Sequence, residues 1–270
     1  MTATRTARLD LSGDHPITIH GVEMERPWAW LRAGWHDMAR CPTASLGYGA
    51  VWVLVSLALV GGLWAAGQGA WLLPLLAGFM VMGPLVAVGT YAMSRSLERG
   101  ETPSLPTAML AWRGNATQIA LMGVLLMVFL LAWIRFATLL FALFFGTSIP
   151  AVDTTLVYTD LLFSGTGGAL IVFGTAIGAV LAFVAFALSV VSIPRLLDQP
   201  NTSVLEATIT SLAVVQNNLR PMLLWGVILS AVTFAGLAVG LIGLVVALPL
   251  LGHASWHAYR DLVSDDSTPN

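Results

Sequence analysis

Residues 71–93 read WLLPLLAGFMVMGPLVAVGTYAM, and residues 94–101 continue as SRSLERGE. The first run carries no charge. As a helix it needs about 30 Å of hydrocarbon around it, which is the thickness of a bilayer core. The second run places Arg95 and Arg99 at its end, and arginine collects on the cytoplasmic side of membrane segments. One stretch therefore gives the solvent and the direction of travel. Inside it, Gly83-Pro84 predicts a kink, because proline removes a helix hydrogen bond. Neighbouring helices can cover the carbonyl so freed.

The rest of the composition agrees. Of 270 residues, 57% are apolar and 10% charged, and the mean hydropathy is +0.83. A net charge of −2 leaves no electrostatic footprint for nucleic acid. All cationic side chains are arginines, and Cys41 is the single cysteine, so no internal disulfide forms. No apolar h-region precedes residue 45, so no cleaved signal peptide is expected and the first membrane helix serves as the insertion signal.

Working outward, residues 1–25 are polar and read as a mobile cytoplasmic arm in which His15 and His20 are solvated. Residues 25–40, ERPWAWLRAGWHDMAR, place Trp28, Leu31, Trp35 and Met38 on one helical face, with Arg32, Asp37 and Arg40 largely off it. Such a helix beside a span lies in the interface, rings at headgroup depth. Docking of a partner protein is the alternative.

Pro42 closes that helix, and Leu46 to about Ala66 forms the first span. Gly67-Gln68-Gly69 turns the chain into the second, which lands on Tyr91, Arg95, Glu98 and Arg99. A short proline-started helix around Pro103, Pro106 and Trp112 precedes a long third span, 118–145, that contains Arg135. A charge there either snorkels or pairs with Asp160 or Asp153 in the connecting stretch. The fourth span, 165–193, carries Gly174-x-x-x-Gly178, which permits close helix approach. It lands on Ser192 and Arg195. An amphipathic helix then follows, with Ser203 and Glu206 at capping-box spacing and Leu205, Ile209, Leu212 and Leu219 along one face.

The last apolar region, from Pro221 to Leu251, splits near residues 240–243 into two spans, and the second lands on Tyr259 and Arg260. The pattern predicts an all-α polytopic fold. Six transmembrane helices form three tandem hairpins, each preceded by a cytoplasmic amphipathic helix, with both termini cytoplasmic. The membrane domain runs over 26–264 and a polar tail over 265–270.

Four blocks, GPLVAVGTYAMSRSLERGE, RFATLLFALFF, FALSVVSIPRLLD and LPLLGHASWHAYRDLV, resemble a bacterial family of predicted integral membrane proteins, domain of unknown function 2189. The resemblance implies a multi-spanning inner-membrane protein. Some relatives carry labels suggesting cytochrome c oxidase. An oxidase catalytic subunit holds haem and copper on histidines at membrane depth, and no histidine lies mid-span here. Association with respiratory complexes, or their assembly, is what such a label implies.

The residues show no catalytic set. No Ser-His-Asp group converges, no glycine loop cradles phosphate, and no acidic residue sits mid-span. His253 and His257, at i and i+4, with His36 or Cys41 at the same level, are the only metal-ligand spacing. The plainer reading of that pair is an aromatic belt with Trp256 and Tyr259. No cofactor is expected. Two functions stay open. One is a non-enzymatic scaffold or accessory subunit binding other membrane proteins or itself; the other is a channel or small-solute transporter.

Overall fold

The computed structural model describes residues 6–9, 16–146 and 164–265. Asp153 and Asp160, the expected partners of Arg135, lie outside the described residues. Helix α1 spans Arg26–Arg40 and begins with proline in its first turn. Helix α2, Pro42–Ala65, follows after Cys41 alone. A turn with positive φ at Gly67 leads to α3, Leu72–Val86. Helix α4 is Val88–Glu98. The break expected at Gly83-Pro84 therefore falls at Ala87, one turn beyond the proline, between α3 and α4.

Short α5, Leu105–Met109, is capped by Ser104, and a 3-10 turn over Ala111–Asn115 leads into α6, Ala116–Phe145. Then come α7, Gly165–Ser189, and α8, Ser192–Asp198. Of the expected capping box the structure shows one half, in which Ser203 caps α9, Val204–Asn217, by accepting from the Glu206 amide, while the Glu206 carboxylate pairs with Arg195. The last apolar region is two helices, α10, Leu219–Ala238, and α11, Leu244–Leu262, with left-handed residues Gly240 and Leu241 between them.

Four helical stretches among the described residues are long and apolar enough to cross a membrane: Pro42–Ala65, Leu105–Phe145, Gly165–Asp198 and Leu219–Ala238. The second and sixth expected spans are not among them. Helix α3 stops after 15 residues, about 22 Å of rise. Helix α11 devotes its second half to His253, Ser255, His257, Arg260 and Asp261. The most apolar windows of the four long stretches are only 17–39% buried. Water tolerates no such continuous apolar surface, whereas lipid does.

The buried core lies at one end of the bundle, where α4, α8, α9 and the second half of α11 meet. Helix α11 is its axis, with Gly252, His253, Ala254, Trp256 and Tyr259 all buried. Close approach is built on glycine. A Cβ on Gly34 of α1 would stand 2.5 Å from the Ala254 amide nitrogen, and one on Gly49 of α2 or Gly252 would collide with Val245 or Thr90. In the expected Gly174-x-x-x-Gly178 pair, only Gly178 meets a neighbour, Trp133 of α6.

The expectation that residues 1–25 bury nothing differs from the structure. Strand β1, Thr6–Leu9, pairs antiparallel with β2, Ile17–His20, which pairs with β3, Val263–Asp265, at the other end of the chain. Ile17 and Ile19 are buried. The short PITI stretch is central in this sheet, and one of its two partners, β3, lies some 245 residues away.

The helical stripes also face otherwise than a water-soluble reading implies. On α1 the buried positions are Pro27, Trp30, Gly34, Asp37 and Met38, while Trp28 and Trp35 are exposed. On α9 they are Ala207, Thr210, Ser211, Val214 and Val215, while Leu205 is exposed, as is Leu219 beyond it. Small and polar residues share the protein contacts with Trp30, Met38 and two valines, while other bulky apolar residues face the surroundings.

Candidate functional site

Gly34 lets α1 lie against α11, and this brings Asp37, one turn on, between the two histidines of α11. His257 Nε2 stands 2.8 Å from Asp37 Oδ2. Ser94 Oγ of α4 donates to the same oxygen at 2.8 Å. Having given its one proton there, Ser94 must accept from His253 Nδ1–H, at 2.8 Å. A neutral His253 then accepts at Nε2 from Ser45 Oγ–H of α2, at 2.9 Å. Cys41 closes the group by donating to the Asp37 carbonyl at 3.3 Å. Ser45, Ser94 and His253 are wholly buried, and Asp37 nearly so.

The sequence places Asp37 largely off the apolar stripe of α1 and predicts no Ser-His-Asp convergence, whereas in the structure Asp37 is buried. A serine, a histidine and an aspartate do converge, with Ser94 interposed between His253 and Asp37. The missed signal was a second helical stripe in α1, Trp30-Gly34-Asp37-Cys41, interleaved with the one that was read. Burial pushes the Asp37 carboxyl up, but hydrogen bonds from His257 and Ser94 outweigh it and hold the group below its usual range. Asp37 is therefore an ionised acceptor locking α1, α4 and α11 together. Ser45 has the geometry of a nucleophile beside its base, yet it is fully enclosed, so a substrate has no approach to it.

The metal-ligand spacing resolves differently from a clamp. Both ring nitrogens of His253 are engaged by serines, His257 faces Asp37, and His36 is exposed on the far side of α1. Among the described residues no three His, Cys, Asp or Glu side chains gather to hold a metal. Arg135 is exposed on α6.

The residues expected at the three landings meet one another. Tyr91 is buried, and Arg95 donates to the Leu197 carbonyl of α8. Asp198 of α8 accepts from the Tyr259 hydroxyl of α11 at 3.0 Å and lies 3.5 Å from Arg260. Arg260 also stands 3.5 Å from Glu98 of α4, and Arg195 pairs with Glu206 at 3.1 Å. Arg99 sits outside this group on the surface. Landings some 65–100 residues apart in sequence thus share one layer. At the N-terminal edge, Arg26 and the Trp30 indole both bond Asp261, and Asn218 bonds the backbone at His20 and Val22.

Comparison with known proteins points to an integral membrane protein. Residues 72–198, from the start of α3 to the end of α8, match the family model described as predicted integral membrane protein (DUF2189). The chain is a multi-pass integral membrane protein. The DUF2189 segment contains two of the three landings, and the third, on α11, packs between them. No curated protein and no solved structure matches the chain.

Between α3, α7, α10 and α11 lies a cavity of about 660 Å³. Its lining is apolar apart from hydroxyls, among them Tyr91, Ser189 and Ser255, and contains no charged residue.

Proposed function

We propose that the chain crosses a bacterial inner membrane six times, as three tandem hairpins with both termini cytoplasmic. It acts without catalysis there, as a scaffold or accessory subunit that holds other membrane complexes. What carries the reading is the outward placement of bulky apolar side chains on the connecting helices. Trp28, Trp35, Trp112 and Leu205 are exposed, while the polar groups of the same layer are spent on one another. Trp64 and Trp71, also exposed, sit at the opposite end of the α2–α3 hairpin, so the tryptophans form two belts. The contact among the three landings supports tandem hairpins, because three returns that end in one layer run in the same direction.

The transporter alternative draws less support. Solute and ion paths are lined by polar or charged groups, and the cavity lining carries no charge. The test is affinity purification of the full chain in mild detergent, beside a periplasm-dependent reporter fused after Val263. The expected result is a silent reporter and stoichiometric membrane partners that Trp35→Arg or Leu205→Arg releases. A monodisperse chain without partners that conducts solute in vesicles would overturn the scaffold reading. An active reporter would overturn the six-span topology.

A further inference from the structure

The cavity between α3, α7, α10 and α11 has a direction. At its inner end are Tyr91, Ser189 and Ser255, all buried against the landing layer. On its flank, Leu223, Val227 and Phe234 of α10 line the space and are also exposed, by 47%, 63% and 55%. The mouth therefore opens sideways from the bundle, between α7 and α10, along the faces that lie in lipid. A molecule reaches it from within the bilayer and not from water.

The space is made by absent side chains. A Cβ added at Gly83 or Gly226, both lining residues, would meet nothing within 4 Å. A volume of about 660 Å³ holds roughly 20 groups the size of a water molecule, at about 30 Å³ each, and a methylene group is of similar size. The uncharged lining excludes a carboxylate or phosphate head within it, since an unpaired charge buried there would be too costly. The hydroxyls at the inner end set the head group. Ser189 donates to the Ala185 carbonyl and Ser255 to the Leu251 carbonyl, and Tyr91 bonds Ser255, so each serine oxygen keeps at least one lone pair for an incoming donor.

We propose that this cavity binds an uncharged long-chain lipid alcohol taken from the bilayer. Its hydroxyl lies against Ser189, Ser255 and Tyr91, and its chain runs out between α7 and α10. The inference rests on immersion in lipid and is independent of the scaffold reading, because purified protein suffices to test it.

The probe is a sixteen-carbon alcohol with a mid-chain diazirine, photolysed with the full-length protein in detergent. Adducts are expected on peptides covering 79–91 and 222–234. Gly226→Phe, which fills the space, should lower those adducts about tenfold. Adducts on the lipid-exposed stretch around Leu131 and Val172 should stay unchanged, as an internal control for folding and dose. The double variant Tyr91→Phe, Ser255→Ala should lose any preference for the alcohol over its methyl ether. Equal labelling of the cavity and outer peptides would reduce the site to ordinary annular lipid and overturn the proposal. So would labelling insensitive to Gly226→Phe. Efficient disulfide dimers through Val227→Cys would overturn it too, because a second copy would then cover the mouth.

Discussion

Replacing Asp37 by alanine removes the acceptor on which Ser94 and His257 converge, each at 2.8 Å. Hydrogen bonds to a charged acceptor contribute ~1.5–3 kcal/mol when buried. Ser94 is fully enclosed, so its bond counts near the middle of that range, about 2 kcal/mol. A quarter of the His257 side chain is exposed, and solvent screening lowers its share to about 1 kcal/mol. The sum, about 3 kcal/mol, corresponds to a fall of roughly 6–12 °C in Tm for a chain of this size. Asp37→Asn keeps an acceptor oxygen without the charge and should lose about half as much.

The effect has a pH signature. The folded Asp37 carboxyl titrates below its ordinary value of 3.8. The stability it adds is complete above that value and is lost as pH falls through the lower folded one. The gap between wild type and Asp37→Ala should therefore be constant near neutrality and narrow below about pH 4. Unfolding can be followed in detergent with a thiol-reactive dye, because Cys41 is the sole cysteine and is buried beside Asp37. A Tm within about 1 °C of wild type, or a gap that persists undiminished in acid, would refute the role assigned to this carboxylate.

Three further outcomes follow from the same layer. Gly34→Leu forces side-chain atoms into the Ala254 backbone and should cost at least ~1–3 kcal/mol, with α1 becoming open to limited proteolysis while α2 to α11 stay intact. Asp198→Ala removes the carboxylate that accepts from the Tyr259 hydroxyl and faces Arg260 and should lower stability by ~1–3 kcal/mol. Tyr259→Phe added to it should cost little more, as a double-mutant cycle read by thermal unfolding would register. Burial pushes the Cys41 thiol up, so the folded protein should resist a maleimide at pH 7 that cysteines placed at His36, Arg113 and Gln216 take up readily. Rapid labelling of native Cys41 would contradict its enclosure.

The sequence by itself determined the solvent, the places where the chain turns, and which segments end at a common level. These follow from local quantities. Uncharged runs longer than a bilayer is thick locate four helical stretches able to span, while the second and sixth expected spans are not among them. Gly67, the break after Pro84 and the Gly240–Leu241 turn punctuate them, and Ser203 with Glu206 starts α9. Each signal is complete within a few residues, and so it was legible.

Only the tertiary structure decided which face of each helix is inside. In water an apolar stripe must turn to the core, so periodicity alone assigns burial. In lipid the apolar stripe is equally at home outside, and the contact goes to residues that allow close approach or satisfy a hydrogen bond. That is why Trp28 and Trp35 stand outward while Gly34 and Asp37 are buried. The partners of Asp37 lie 57 and 220 residues away, and β2 pairs with a strand at the other end of the chain. Such pairings, and the cavity left between helices, depend on where distant segments come to rest. No local pattern encodes that position.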